Sequence, residues 1–416
     1  MKLNQSVQAW VVAITSGLFF FYMVIQWTMF NALSSALMIH FSVSSSAISR
    51  LSAVYFYVNI ICLFPAGMLL DRFSTYRVVL IAMAVAIVGT VGTLYVDTLA
   101  GAEWCRVLVG AAGSFCLVSV VRLVSRWFPA RSLALVIGVV VMLAMMGGVV
   151  AQTPFTLLTD ACGWRAAIYA DVVLGLVITA LIAMFVRDRP SRPIEGVLCH
   201  PASLPFLKAI RLTVTNRQNW FAGLYTSFMN LPVMVFSFWG SFYLIQSWHM
   251  SRLASSWIDT CLLLGAIVGS PALGWVSDRL GKRRLPMMVS AVVLGCLTVL
   301  LYVAHALSMP ALAVIFGAIG FFSSAQVMGY PLIAESNPSD LIATAEGFSS
   351  ILIMAGGLSQ QVFGYLLDHV GSHVVEHHIT HYSNVSYHAA LLMFPVACVL
   401  SWLVAFLAKE GFATNT

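Results

Sequence analysis

This sequence predicts an all-α integral membrane protein, with twelve transmembrane helices in two pseudo-symmetric six-helix bundles. Three observations carry that expectation. Hydrophobic residues make up 60 % of the 416 and charged residues 9 %, against roughly 25 % charged in a soluble domain. Such a chain cannot cover itself with polar surface, so its solvent is a bilayer. Apolar runs long enough to cross about 30 Å of hydrocarbon as helix recur from end to end. Finally, the second half of the chain repeats features of the first at a near-constant offset. A membrane β-barrel does not fit, because its segments are short and alternating and its apolar signal is weaker.

The first run, about 9–39, follows Lys2 almost directly. It is longer than a signal-peptide core and lacks a clear small-residue cleavage site, so it reads as the first span. The runs at about 45–70 and 77–97 flank the polar stretch "DRFSTYR". Those at about 100–127, 132–160 and 164–187 complete a first set, separated by "WFPARS" and "CGW". The Pro- and Arg-rich "RDRPSRPIEG" then interrupts the apolar pattern. A second set follows at about 218–248, 252–277, 285–306, 309–334, 340–368 and 386–409. Several runs exceed the ~20 residues of a straight span, which tilt accommodates. The expected domains are an N-terminal bundle (1–190), a cytoplasmic linker (191–217) and a C-terminal bundle (218–416).

The net charge of +6 does not imply a nucleic-acid partner, because of where the charge lies. Of the 21 Lys and Arg residues, all but Arg50, Arg106, Arg165 and Arg252 fall in loops on one side of the alternating spans. Cytoplasmic loops carry such an excess. Both termini and the linker are therefore expected in the cytoplasm, with the protein in the inner membrane of a bacterium. The eight cysteines are scattered, mostly in apolar runs and without a C-x-x-C, and read as packing residues.

The repeat is specific. Gly67, Asp71, Arg72 and Arg77 of "GMLLDRFSTYR" fall on Gly274, Asp278, Arg279 and Arg284 of "GWVSDRLGKRR", each 207 positions on. The same shift carries Gly110 and Gly113 onto Gly317 and Gly320. A shift of 209 carries Gly138, Gly147, Gly148 and Gln152 onto Gly347, Gly356, Gly357 and Gln361. Three ordered matches indicate two homologous halves. Six spans is an even number, so both halves insert the same way round, as parallel repeats about an axis normal to the membrane.

These stretches also carry a resemblance. "GMLLDRFSTYR" and "GWVSDRLGKRR" resemble the signature between the second and third helices of the major facilitator superfamily and its echo between the eighth and ninth. "RVLVGAAGS" resembles that family's fourth-helix motif, with Arg106 in the arginine position, and "RWFPARSLALVIGV" and "GWRAAI" sit where its members carry similar stretches. The likeness spans nearly the whole chain. It implies two bundles that rock about a central solute path lined by helices one, four, seven and ten, with a cytoplasmic latch closed in the outward-facing state.

The residues themselves give the latch a physical basis. Glycines near a helix end permit close backbone approach between spans. Asp71 and Asp278, at the inner ends of the second and eighth runs, are placed to pair with an arginine or to cap the positive N-terminus of another helix. The helices starting near Ser339, after "NPSD", and near Ser132 are the candidates. The latch set is Gly67, Asp71, Arg72, Arg77, Gly274, Asp278, Arg279 and Arg284. The alternative, that these residues only fix topology, explains the arginines better than the aspartate spacing.

A charge inside the membrane is costly and marks a functional candidate; a structural ion pair or snorkelling toward headgroups is the plain alternative. Arg106 lies about one turn into the fourth run, and Glu103, three residues earlier, is expected to pair with it. Asp171, Asp259 and Glu346 complete the set, with Asp259 the first candidate to carry a proton and Asp171 the second. Arg122 falls about 160° round the helix from Arg106, near the inner end where snorkelling is easy.

Uncharged polar residues mark where a solute would sit. They are Tyr22, Gln26 and Asn31 in the first run, Gln152 and Gln361 at matched repeat positions, and Ser323, Gln326 and Tyr330 in the tenth. The seventh carries Asn230 beside a stripe of Tyr225, Met229, Pro232, Phe236, Trp239 and Tyr243. By itself such a stripe reads as packing. The resemblance raises it, with Arg106, to a candidate binding surface.

His369, His373, His377 and His381 recur every four residues before the last run, near Glu376, His378 and His388. On a helix, such spacing suits zinc, and histidines also sense acidity. Gly371 and the lack of a thiolate favour a solvated loop, so no metal is expected.

No G-x-S-x-G, P-loop, G-x-G-x-x-G or H-E-x-x-H occurs. The chain is not expected to be an enzyme, to hold a cofactor or to hydrolyse ATP. The expectation is a monomeric secondary active or facilitative transporter moving a small polar or organic solute by alternating access. Its partners are that solute, the lipid bilayer and, through a carboxylate sensitive to conformation, protons. On direction, the fifth run has Gly138 and Gly147 but "AQTP" where the antiporter pattern of this family should finish, and the membrane part of the first run is uncharged. With the look of "FPAGMLLDRF", these departures favour uptake of an amino acid, peptide, nucleoside or organic anion. The alternative is proton-driven efflux of drugs or metabolites.

Overall fold

The computed structural model describes residues 5–42, 45–190, 206–304, 307–356, 359–370, 373–376 and 379–410. Among the described residues, twelve helices are long and apolar enough to cross a membrane, as the sequence leads one to expect. The first six are Gln5–Met29, Arg50–Arg72, Thr75–Tyr95, Leu99–Trp127, Ala130–Ala151 and Trp164–Phe185. The second six are Arg217–Trp248, Ala254–Leu280, Arg284–Val303, Met309–Glu335, Ser339–His369 and Asn384–Leu407.

Local chemistry places the ends. Ser74, Thr98, Asn216 and Ser251 each precede a span in extended backbone, and their side chains accept from N–H groups of the first turn, the usual N-cap arrangement. Asp188, just past the sixth span, adds a second cap to the third by accepting from Tyr76 N at 2.8 Å. The seventh and eighth spans stop where His249 and Gly281 turn left-handed, with φ of 53° and 59°, a common way to close a helix C-terminus.

The repeat seen in the sequence has a structural counterpart. The fourth span breaks after Gly113 and resumes at Cys116. The tenth breaks after Ser323, passes through a 3₁₀ turn and resumes at Gly329. Each packs against a neighbour through glycine: a Cβ on Gly110 would lie 2.7 Å from the Tyr55 carbonyl oxygen, and one on Gly320 would lie 3.0 Å from Ala266 N. The second and fourth spans therefore meet as the eighth and tenth do.

Contacts group the chain into two compact units, residues 1–215 with 337–350, and residues 216–336 with 351–416. The start of the eleventh span thus belongs with the first six. Within the stretch expected as linker, Phe206–Thr215 is helical and 191–205 lies outside the described residues. A small hairpin departs from the all-helical expectation: His373–Glu376 pairs antiparallel with Ile379–Tyr382. His373 and His381 fall on opposite strands of this hairpin, with His381 across from Val374, so the helical i, i+4 zinc geometry does not arise there. His377 and His378 lie outside the described residues, and His369 stacks on Tyr365 with centroids 4.0 Å apart.

Candidate transport site

The first unit contains a buried polar cluster built from spans one, two, four and six. Asp171 is 0 % exposed, and its Oδ2 accepts from the Gln26 amide and, at 3.3 Å, from the Tyr22 hydroxyl. The backbone carbonyl of Gln26 in turn accepts from Arg106 Nη1 at 3.0 Å. The Arg106 guanidinium, 1 % exposed, lies 5.0 Å above the centre of the Tyr55 ring. Gln26 thereby joins a carboxylate on span six to a guanidinium on span four. Such a network is stable in a low dielectric only when its donors and acceptors are matched.

Two expectations about charge pairing are corrected. Glu103 does not pair with Arg106: Arg50 Nε donates to it at 2.9 Å, and the pair is exposed. Glu103 sits near the start of span four, where it is partly exposed, and Arg50 at the start of span two is its partner. Arg122 does not snorkel. It is 3 % exposed; its Nη2 donates to the Asp71 backbone carbonyl at 3.0 Å and its Nε lies 3.6 Å from Asp71 Oδ1.

Asp71 itself caps the eleventh span. Its carboxylate accepts from Ala343 N at 3.2 Å and from Thr344 N and Oγ1 at 2.6 Å each. This is the helix beginning near Ser339. Gly67 makes the approach possible, since a Cβ there would lie 2.9 Å from the Thr344 Cα. Arg72 and Arg77 are exposed.

The equivalent stretch of the second unit is built differently. Arg283, 0 % exposed, donates to Asp278 at 2.5 Å and to Glu335 at 2.6 Å, while Glu410 accepts from its backbone N–H at 2.8 Å. Burial works against the Arg283 charge, but the Glu335 and Asp278 carboxylates outweigh it and hold the guanidinium above its ordinary pKa. The repeat points to Arg284 as the matching residue; the structure shows Arg284 over the Phe406 ring at 4.8 Å and Arg279 over Trp275 at 5.1 Å. Gly274 is buried.

The second unit's polar residues form separate pairs. Gln326 donates to Asn230 at 3.1 Å. Trp239 Nε1 donates to the Gln360 carbonyl at 3.0 Å, and the Gln360 amide donates to Met234 O at 2.7 Å. Gln361, the repeat-matched residue, is exposed; its neighbour makes the contacts. The Tyr225 hydroxyl donates to Met287 O at 3.2 Å, which ties spans seven and nine together, and Tyr330 is buried. Asp259 accepts from Ser241 and backs onto Gly240. The side chains of Asn31 and Gln152 lie outside the described residues.

A family profile described as the Major Facilitator Superfamily matches residues 15–246 and 221–413. The chain belongs to this superfamily. Like its relatives it is a transporter of small solutes and not an enzyme. The hexuronate transporter of Bacillus subtilis is 23 % identical over 286 residues, 64 % of this chain and 66 % of the relative, just under two thirds of its length. The probable galactarate/D-glucarate transporter GarP of Escherichia coli K12 is 25 % identical over 344 residues, 74 % of this chain and 77 % of GarP. Two crystal structures of FucP, the E. coli fucose:proton symporter, share the fold, with TM-scores of 0.68 and 0.70, 14 % identity, and coverage of 96 % of this chain and 99 % of FucP.

In this superfamily member, sequence reasoning passed over Tyr55, Asn59, Arg283, Glu335 and Glu410. Tyr55 and Asn59 stand one turn apart on span two, and Asn59 Nδ2 donates to Gly110 O at 3.4 Å. That i, i+4 polar pair in an apolar run was the available signal. Glu335 and Arg283 are 52 positions apart, and neither stands out alone.

Proposed function

We propose that this transporter takes up a small organic anion of the sugar-acid class, a hexuronate or an aldarate, and that Arg106 binds its carboxylate. The observation that carries the reading is the Arg106 guanidinium, buried in span four and held by a neutral carbonyl and an aromatic face. A permanent charge is costly there, and the planar guanidinium fork matches a carboxylate bidentately. Tyr22 and Gln26 lie beside it and suit a polyhydroxylated chain. The names of the relatives, a hexuronate transporter and galactarate/D-glucarate transporters, point the same way.

Transport is by alternating access of the two sequence halves, 1–190 and 218–416, driven by protons. Asp171 is favoured over Asp259 as the coupling carboxylate, because Gln26 links it to Arg106. The Asp71 clasp joins helices from different halves of the sequence and restrains the motion. The protein acts as a monomer in the inner membrane of a bacterium, with both termini in the cytoplasm.

The test is uptake into proteoliposomes under an inward proton gradient. Radiolabelled D-glucarate, galactarate and D-glucuronate are compared with fucose, amino acids and a cationic drug. Accumulation of a sugar acid, collapsed by a protonophore, supports the reading. Transport of the drug with no sugar-acid uptake or competition defeats it.

A further inference from the structure

Asp171 carries an asymmetry that its burial makes informative. Both of its hydrogen bonds arrive on one oxygen: Oδ2 accepts from the Gln26 amide and, at 3.3 Å, from the Tyr22 hydroxyl. Oδ1 is buried and has no hydrogen-bond partner among the described residues. The Gln26 side-chain oxygen is in the same condition, buried and without a donor. Two acceptors that lack a donor thus sit on the two groups that the Gln26–Asp171 bond already holds together. The cluster is tightly built, since a Cβ on Gly175, one turn beyond Asp171, would lie 2.7 Å from the Tyr22 hydroxyl oxygen. Glu346, also 0 % exposed, differs: both of its oxygens lack a partner among the described residues, so no neighbour is marked as sharing a proton with it.

An ionised carboxylate only accepts, through both oxygens, whereas a neutral acid accepts at its carbonyl and donates from its hydroxyl. Buried polar atoms are nearly always paired. The ionised form leaves Asp171 Oδ1 and the Gln26 oxygen both unmatched; one proton on Asp171 supplies the donor that both lack. Turning the Gln26 amide end for end does not remove the need, because its oxygen would then face Oδ2, and Oδ2 would have to carry the proton. The donors present are neutral as well. Among the described residues no basic side chain forms an ion pair with Asp171, and Arg106 donates to the Gln26 backbone carbonyl at 3.0 Å. Spans one, three and five pack against span six. Span one brings Tyr22 and, at its far end, His40; span three has no ionisable group between Arg77 and Tyr95, and the helix of span five none between Arg131 and Asp160.

We infer that Asp171 is a neutral acid in this conformation and that the Gln26 side-chain oxygen accepts its O–H, which makes Gln26 the positioning residue for the coupled proton. Release breaks the Asp171 O–H bond, leaves the electron pair on the carboxylate and passes the proton to water, which must enter the cluster first because Asp171 is sealed off. With the proton gone, two lone-pair oxygens face each other and the Gln26 side chain turns away. The Gln26 backbone holds Arg106, so one residue relays the proton state of span six to the guanidinium of span four. This part given to Gln26 rests on the coupling role proposed for Asp171.

The test needs no substrate, so its failure is distinguishable from a failed uptake assay. Infrared difference spectra are taken of full-length protein in lipid nanodiscs at about pH 7, where an ordinary aspartate is ionised. Wild type minus Asp171→Asn should show a neutral-carboxyl C=O band that shifts in heavy water. If the Asn variant does not fold, labelling aspartate with heavy carbon at its carboxyl identifies the same band by its displacement. In Gln26→Met, which offers no hydrogen bond, the band should move to higher frequency; Gln26→Asn, one methylene too short, serves the same comparison if the Met variant does not fold. A carboxylate band in place of the neutral one, a neutral band unmoved in the folded Met or Asn variant, or a band that converts to carboxylate on adding sodium at constant pH would each overturn the inference. Proton-driven sugar-acid uptake without the neutral band would defeat it while leaving the transport reading intact.

Discussion

The contact most open to direct test is the clasp made by Asp71, and the perturbation is Asp71→Ala. The side chain accepts three hydrogen bonds from span eleven, two from backbone N–H groups and one from the Thr344 hydroxyl. Bonds to a charged acceptor are worth about 1.5–3 kcal/mol each while the site stays dry. Water recovers part of that once the seam opens, which leaves a net effect nearer an N-cap loss of about 0.5–2 kcal/mol. The larger contribution is Arg122. Its side chain is 4 % exposed, and removing the counter-charge of a buried pair costs about 3–5 kcal/mol. Together these should make opening of the seam easier by about 3.5–7 kcal/mol, at least a few hundredfold. Hydrogen–deuterium exchange of the Ala343 and Thr344 amides reads this directly. Asp71→Asn, which keeps one acceptor oxygen, should show an intermediate gain, and adding Arg122→Gln to Asp71→Asn should recover part of the protection. Exchange in Asp71→Ala within about twofold of wild type would refute the reasoning, because no closed seam could lose that acceptor so cheaply.

Three further outcomes follow from the same geometry. Arg106→Lys keeps the charge but loses the planar fork, so sugar-acid uptake should fall at least about tenfold, and Arg106→Gln should abolish it. Initial-rate uptake checks both. Asp171→Ala strands the buried Gln26 amide and Tyr22 hydroxyl, at about 1–3 kcal/mol per donor; it should melt well below wild type, while Asp171→Asn should melt near it. The Asn variant should lose uphill uptake but retain exchange at equal pH on both sides, and persistence of uphill uptake would remove Asp171 from the coupling role. Arg283→Gln leaves Asp278 and Glu335 facing each other without their shared cation, a loss of about 3–5 kcal/mol visible as a lower melting temperature in detergent.

The architecture was open to sequence reasoning because membrane spans announce themselves by length and apolarity, and the duplication by matched glycines and aspartates. The role of Asp71 was also within reach: a carboxylate at one helix end and "NPSD" opening another are complementary local signals. The Asp171 network was not. Gln26 and Asp171 are 145 positions apart, and nothing in either neighbourhood says that spans one and six touch. Charge pairing failed for a related reason. Glu103 and Arg106 satisfy the helical spacing rule, but depth in the membrane decided the outcome: Glu103 found Arg50 near water and Arg106 stayed inside. Arg122 was misjudged because proximity to an interface permits snorkelling without compelling it; a fixed carboxylate 3.6 Å away holds it instead. The Gln361 assignment shows the limit of repeat matching, since a one-residue rotation of span eleven gives the contacts to Gln360.

That residues 337–350 group with residues 1–215 has a consequence for biogenesis. A ribosome making this protein finishes Thr215 a full 122 codons before it reaches Asn337, an interval of roughly 6–24 s at typical synthesis rates of about 5–20 residues per second. Throughout that interval the nascent first bundle sits in the bilayer with Asp71 and Gly67 turned toward a partner that has not yet been translated. A translocon component or chaperone that shields this surface until span eleven emerges would shorten the period of vulnerability, and truncations ending before residue 337 should be degraded faster than those ending just after residue 350.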